Sequence, residues 1–385
     1  MGETHQVTRS PADAGLDADK VEALVERAHR EVDAGLLPSC QLALAKDGEL
    51  VVFEAIGDAD TSTRYTIFSS TKPFVASVIW QLLGEGAVKV EQRVAELIPE
   101  FGENGKEAIT LDQVLQHTSG FPRAPLGPPG WGDRAQRLEA MARWRTNWEP
   151  GSQFEYHPTS AHWVLAEVIY AVTGEDHRDA VRRRVTEPLG LTGFRLGGEP
   201  GDFDDVAMLE LTGEEMTRDE MMAAFGVPEI DRGEVTDDAM MALNETQARV
   251  VGIPGGGGTA TAADVALFYQ ALLDDRQGLW DPSVLADVTG TVRNTFADPM
   301  FGVPANRTRG LVVAGDDGKS NMRGMGRTVS PRAFGHNGAA GQIAWGDPAT
   351  GLSFGYLTNG IDRHMLREGR RGVALASLAA VCASE

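Results

Sequence analysis

The two ends of this 385-residue chain share one grammar, and that feature most restricts the folds open to it. Near the start, Val21, Leu24, Val25, Ala28 and Val32 recur at helical spacing, with Asp17 placed to cap the helix and Gly35 to stop it. The stretch "SCQLALAKDGELVVFEAIG" then gives two apolar runs around Asp47-Gly48, a pair suited to a two-residue hairpin turn because such turns need positive φ. Near the finish, "GQIAWGDPATGLSFGYLTNG" reads as strand, Asp-Pro-x-x-Gly turn and strand, and residues 364–383 read as a helix. Hairpins at both ends, each beside a terminal helix, imply an α/β (α+β) fold: one antiparallel sheet flanked by helices, with a mostly helical insertion. The expected division is 1–68 and 285–385 for the sheet domain and 69–284 for the helical one. Helices are expected at 73–84, 90–97, 111–116, 134–146, 160–173 and 261–274. Residues 196–250 are acidic and carry six methionines, which fit either core filling or a substrate-facing cap.

Composition narrows the function. A formal charge of −21 argues against nucleic acid or an anionic membrane surface as partner. Two cysteines, Cys40 and Cys382, make no disulfide framework, and no CxxC or HExxH spacing offers a metal site. No segment approaches the roughly 20 apolar residues of a membrane-spanning helix. The polar opening "MGETHQVTRSPADAG" lacks the basic flank and apolar stretch of a secretory signal, so the expected compartment is the cytoplasm.

Chemistry enters at "YTIFSSTKPF", residues 65–74, where Lys72 stands at the mouth of an apolar helix three residues after Ser69. Residues three apart on a helix share a face, so the hydroxyl and the amine can meet. A serine hydroxyl is a poor nucleophile until a base takes its proton. Lysine can be that base only if burial lowers its pKa from about 10.4. Phe68, Phe74 and Val75 supply the apolar surroundings, and Pro73 is tolerated in a first helical turn. Ser70, two residues before Lys72, points elsewhere on a helix and is the secondary candidate.

Two more segments join it. Tyr156 follows a Pro-Gly turn and precedes the 160–173 helix, and His336-Asn337-Gly338 stands just before a strand. With "LDQVLQHTSGF" (111–121) and "PGGGGTATAADVALFYQALL" (254–273), the order and spacing resemble the serine β-lactamase and penicillin-binding-protein superfamily. The nearest likeness is to class C β-lactamases and their related family VIII carboxylesterases. The resemblance, from about residue 16 onward, implies Ser69 as nucleophile with Lys72 and Tyr156 sharing proton transfer. It implies His336 and Gly338 on the strand lining the site, and an oxyanion hole from the backbone N–H groups of Ser69 and Ala339. It calls for no cofactor and no metal.

The pattern departs from that family at two places. Where class C enzymes have Tyr-x-Asn, this chain has Tyr156-His157-Pro158, without the amide that binds a β-lactam side chain. Where they have a lysine that meets a substrate carboxylate, this chain has His336. Both changes favour a small-molecule ester over an anionic amide. The expectation is therefore a serine carboxylesterase, with a β-lactamase, a D-amino-acid amidase or peptidase, and an acyltransferase as alternatives; a non-catalytic binding relative is the lesser alternative, because Lys72 and Tyr156 are both retained. Other residues have simpler readings. His117 is expected at a helix end capped by Gly120, Gly255 to Gly258 in a tight turn, and Asp202, Asp204 and Asp205 on a solvated acidic face. Trp131, in the Pro/Gly-rich loop 122–133, is a candidate for the substrate pocket, and Trp345 for the core.

Overall fold

The computed structural model describes residues 5–383. The chain opens with α1 (Ala18–Asp33), whose first turn is capped by the Asp17 side chain accepting from the N–H groups of Asp19 and Lys20. Strands β1 (Ser39–Lys46) and β2 (Glu49–Gly57) follow, joined at Asp47 and Gly48, both at positive φ as a two-residue turn demands. Strands β3 (Val312–Val313), β4 (Phe334–Gly335), β5 (Ile343–Asp347) and β6 (Leu352–Thr358) come from the other end. All six form one antiparallel sheet in the order β2-β1-β6-β5-β4-β3. The central pair is β1 with β6, matching Cys40 to Thr358 and Lys46 to Leu352.

Period-two alternation decides which face each residue buries. Along β6, Leu352, Phe354 and Tyr356 pack with Leu24 and Ala28 of α1 and with Leu375 and Ala379 of α5 (Met365–Ala380). The alternate residues face α4 (Ala262–Leu273): Ser353 donates to the Ala266 carbonyl, and a Cβ on Gly355 would lie 2.5 Å from the Ala262 carbonyl oxygen. Behind α4 lies the main core around α2 (Lys72–Gly84), every residue of which from Lys72 to Leu82 is buried. A helix with no exposed face reads as continuous apolar text, as this one does.

The expected helices are found with small shifts, among them α3 (Ser160–Thr173) with the predicted bounds. The exception is 90–97, where only Val94–Leu97 is helical. The backbone before it is held instead by Leu111 and Asp112, whose N–H groups donate to the Gln92 and Val90 carbonyls, so tertiary bonding overrides a helical pattern. Asp202, Asp204 and Asp205 are exposed as expected, and Asp205 in addition pairs with the buried Arg64. Among the methionines of 196–250, Met221 and Met240 are buried while Met208 and Met222 are exposed.

Candidate active site

A two-residue strand, Tyr65–Thr66, pairs with Gly258–Ala260 and leads into a 3-10 turn, Phe68–Thr71, which runs directly into α2. Phe68 has φ 44, a strained value for a large side chain, and stands immediately before Ser69. Three successive hydroxyls then take different tasks. Ser70 donates to the His336 carbonyl at 3.0 Å, and Thr71 Oγ1 accepts from the Gly258 N–H at 3.0 Å. Both are tied into structure. Ser69, half-buried, has its Oγ 3.1 Å from Lys72 Nζ.

Lys72 is fully buried, and its Nζ donates to the carbonyls of Pro158 at 2.7 Å and Gly255 at 2.6 Å. Burial first, then the nearby Arg307 guanidinium, hold its pKa well below the ordinary lysine value, against a smaller opposing pull from Glu234. A neutral amine has two N–H donors and one lone pair. The two carbonyls take both donors, which leaves the lone pair directed at the Ser69 O–H. Pro158 lacks the amide of the family's asparagine, but its backbone oxygen fixes the Lys72 amine in place.

Tyr156 completes the group. Its ring lies 5.0 Å from Lys72 Nζ, and its buried hydroxyl has no hydrogen-bond partner of good geometry among the described residues. The Ser69 hydroxyl is near enough to ease its ionisation slightly; burial nevertheless pushes the phenol up to about 12, with Arg307 pulling the other way. The phenol is therefore protonated at neutral pH. The segment carrying it has no helix or strand and is held by histidines instead. The His157 N–H donates to His117 Nδ1 at 3.1 Å. His157 Nδ1–H donates to the Glu155 carbonyl at 2.7 Å, and its Nε2 accepts from the Phe121 N–H at 3.2 Å. Burial holds both rings neutral. His117 itself takes the left-handed conformation at φ 59 as the chain leaves the 111–115 helix, rather than relying on a cap at Gly120.

On the opposite side the chain passes through His336 to Ala340. A Cβ on Gly338 would lie 2.3 Å from the Ile67 carbonyl oxygen, so only glycine lets this segment approach the nucleophile turn. Ala339 packs in one cluster with Phe68. The N–H groups of Ser69 and Ala339 have no acceptor among the described residues, as an oxyanion hole requires. His336 Nδ1–H donates to the Asn337 carbonyl at 3.0 Å, and burial, then Arg307 and Lys72, hold the ring neutral.

Trp131 does not join this group. Its indole donates to the Leu126 carbonyl at 2.7 Å and it packs on the main core. Trp345 is fully buried. Two contributors had no reading as site residues in the sequence. Gly255 supplies a carbonyl to Lys72, and a Cβ there would stand 2.8 Å from the Pro158 oxygen; its signal is the glycine run 255–258. Arg307 is half-buried, its guanidinium 4.9 Å from the Tyr156 ring centre and 3.5 Å from His336 Nε2. It has no carboxylate within salt-bridge distance among the described residues, and no motif marks it. Nor do the described residues hold any cluster of His, Cys, Asp or Glu suited to a metal ion.

The family model described as "Beta-lactamase" matches residues 20–378. A protein of Escherichia coli (strain K12), provisionally named a D-alanyl-D-alanine carboxypeptidase, is 26% identical over 91% of this chain and 84% of its own length. The esterase/beta-lactamase LipL of Mycobacterium tuberculosis is 28% identical over 83% of this chain and 76% of its own. Among solved structures, a penicillin-binding-protein homolog from Caulobacter crescentus superposes with a TM-score of 0.78 at 25% identity, covering 95% of this chain and 98% of that one. A family VIII carboxylesterase superposes at 0.75 with 24% identity over 94% and 98%, a likeness of fold. No helix among the described residues is long and apolar enough to cross a membrane.

Proposed function

The chain belongs to the Beta-lactamase family, whose members here are serine hydrolases, and from that premise we propose that it cleaves small carboxylic esters through an acyl-enzyme on Ser69. The observation carrying this reading is the 3.1 Å contact between the Ser69 hydroxyl and a fully buried amine, whose pKa burial holds well below the ordinary lysine value. Lys72 takes the serine proton as Oγ attacks the ester carbonyl. The oxyanion is met by the N–H groups of Ser69 and Ala339, donors typically worth about 10²–10³ in rate each. The ester C–O bond then breaks, and the alcohol leaves with the proton passed on through Lys72 and the Tyr156 hydroxyl. In the second half water attacks the acyl-enzyme, the same base takes its proton, and Ser69 is restored with release of the acid.

An ester needs less leaving-group assistance than an amide, because an alkoxide departs more readily than an amine anion. The missing Tyr-x-Asn amide points the same way, and the esterase part of the LipL name is consistent with it. A second reading, hydrolysis of a carboxylate-bearing amide or β-lactam, is favoured by Arg307, an unpaired guanidinium beside His336 where the family has its lysine. The test is a panel of short-chain aryl esters and one chromogenic cephalosporin, run on wild type and on Ser69→Ala and Ser70→Ala proteins. Ester turnover should fall at least ~10³-fold in Ser69→Ala, as for loss of a nucleophile, and remain sizeable in Ser70→Ala. Cephalosporin turnover rivalling the esters, and lost in Arg307→Gln, would establish the second reading instead.

A further inference from the structure

Residues 226–236 form a loop tied down at three points beside the site. Arg123 donates to Asp231 at 2.9 Å, and the Thr159 hydroxyl donates to Glu234 Oε2 at 2.9 Å. Val235 packs in the cluster that holds Phe68, Ala339 and Ala340. Glu234 is therefore strung between two parts of the reaction centre. One is Thr159, the residue after the carbonyl that orients Lys72; the other is the apolar wall flanking the nucleophile turn and the oxyanion N–H.

The surroundings of this carboxylate are incomplete. It is half-buried, one oxygen receives the Thr159 hydroxyl, and no cation lies within salt-bridge distance among the described residues. Neighbouring acids such as Glu155 and Asp231 share Arg123, whereas Glu234 feels Arg123 and Lys72 only at a distance. Burial raises its pKa, the ordinary cost of a carboxylate without a close counter-charge. Arg307 and Glu234 act on Lys72 in opposite senses. Arg307 and His336 gather about Tyr156, the group that delivers a proton to the departing alcohol. Glu234 lies instead beside Thr159, next to Val235, which packs in the cluster that holds Phe68 and Ala339.

We propose that Glu234 is a binding residue for a protonated amine on the acyl portion of the substrate, which makes the substrate class esters of amine-bearing acids. This rests on the acyl-enzyme reading and deepens it. A carboxylate meeting an ammonium through a charge-assisted hydrogen bond gives stronger and more directional recognition than a neutral contact. Glu234 recognises charge without entering the bond-making steps.

The test uses two phenyl esters of one shape, of N,N-dimethylglycine and of 3-methylbutanoic acid, assayed about one pH unit below the amine's pKa. Rates are divided by each ester's spontaneous hydrolysis. In the wild type the corrected kcat/KM ratio should favour the ammonium ester by about tenfold or more, the scale of one hydrogen bond to a charged group. Glu234→Gln keeps an acceptor for Thr159 and should bring the ratio close to one, chiefly through KM; Glu234→Asp should recover part of it. A wild-type ratio near one, or a ratio unmoved by Glu234→Gln, overturns the proposal. If neither ester is turned over, the hydrolase reading fails by itself. Amine docking is then read by calorimetric binding of the dimethylglycine ester to Ser69→Ala and Ser69→Ala/Glu234→Gln proteins. At least tenfold weaker binding in the double variant supports the proposal, and equal binding overturns it.

Discussion

At the scale of single residues, the site depends on what Lys72 is not allowed to be. A charged ammonium there would sit fully buried near Arg307 with no carboxylate within salt-bridge reach among the described residues; a neutral amine has all its hydrogen-bonding capacity matched. The sign of the pH dependence follows. The active form is the deprotonated amine, so kcat/KM should rise with pH through the lowered pKa of Lys72 and then level off far below the usual lysine range. Because the Tyr156 phenol titrates only at about 12, no alkaline fall from that group should appear across the range in which the protein stays folded. A pH profile with a neutral aryl ester measures both limbs. Lys72→Arg, which cannot lose its proton, should remain inactive at every pH. This much was legible in the text, since Ser69 and Lys72 stand at a spacing that places both on one face. Arg307 was not. It reaches the site across the fold from a loop with no periodicity, and only three-dimensional packing brings its guanidinium over Tyr156. Replacing it by Gln should weaken activity and shift the acid limb upward, because one positive charge that disfavours protonated Lys72 is removed.

At the scale of elements, glycine at two positions answers a geometric demand. Gly338 lies so close to the Ile67 carbonyl that Gly338→Ala must push the His336–Ala340 segment away from the turn carrying Ser69. Its expected signature is a loss of turnover of at least ~10-fold with a stability cost of about 1–3 kcal/mol, that of a tight overpacked contact. Gly48, at φ 76 in the β1–β2 turn and far from Ser69 in the sheet, separates the two effects. Gly48→Ala should lower stability by about 1 kcal/mol and leave kcat/KM near wild type. Urea unfolding beside steady-state kinetics tests the pair. Element type and position were largely readable, because hairpin turns, caps and an all-apolar α2 are local signals. The misreading at 90–97 came from the same dependence on local pattern, which cannot register the bonds from Leu111 and Asp112 that hold that backbone in a turn.

At the scale of the whole molecule, the chain ends are joined by charge as well as by strands. Arg371 on α5 is 1% exposed and donates to Glu31 of α1 and to Asp362 beyond β6, each at 3.3 Å. Asp362 keeps Arg367 and Glu31 keeps Arg27 as closer partners, so Arg371→Ala should cost about 1–3 kcal/mol, the scale of hydrogen bonds to charged groups, read as a lower midpoint of thermal unfolding. Asp362 has its pKa lowered in the folded state by its arginines and its bond from the His364 N–H, against burial. Its contribution is therefore present above the ordinary carboxylate range and disappears as acid protonates it. The seam between β1 and β6 also carries a consequence for biosynthesis. Leu42 must wait for Tyr356, more than three hundred residues downstream, before the middle of the sheet exists. The emerging polypeptide thus leaves the ribosome with its first hairpin edge unpaired, a delay that large sequence separation makes entropically slow and that leaves a sticky edge open. A chaperone that shields this hairpin during translation should raise the yield of native protein more than any stabilisation of the completed fold.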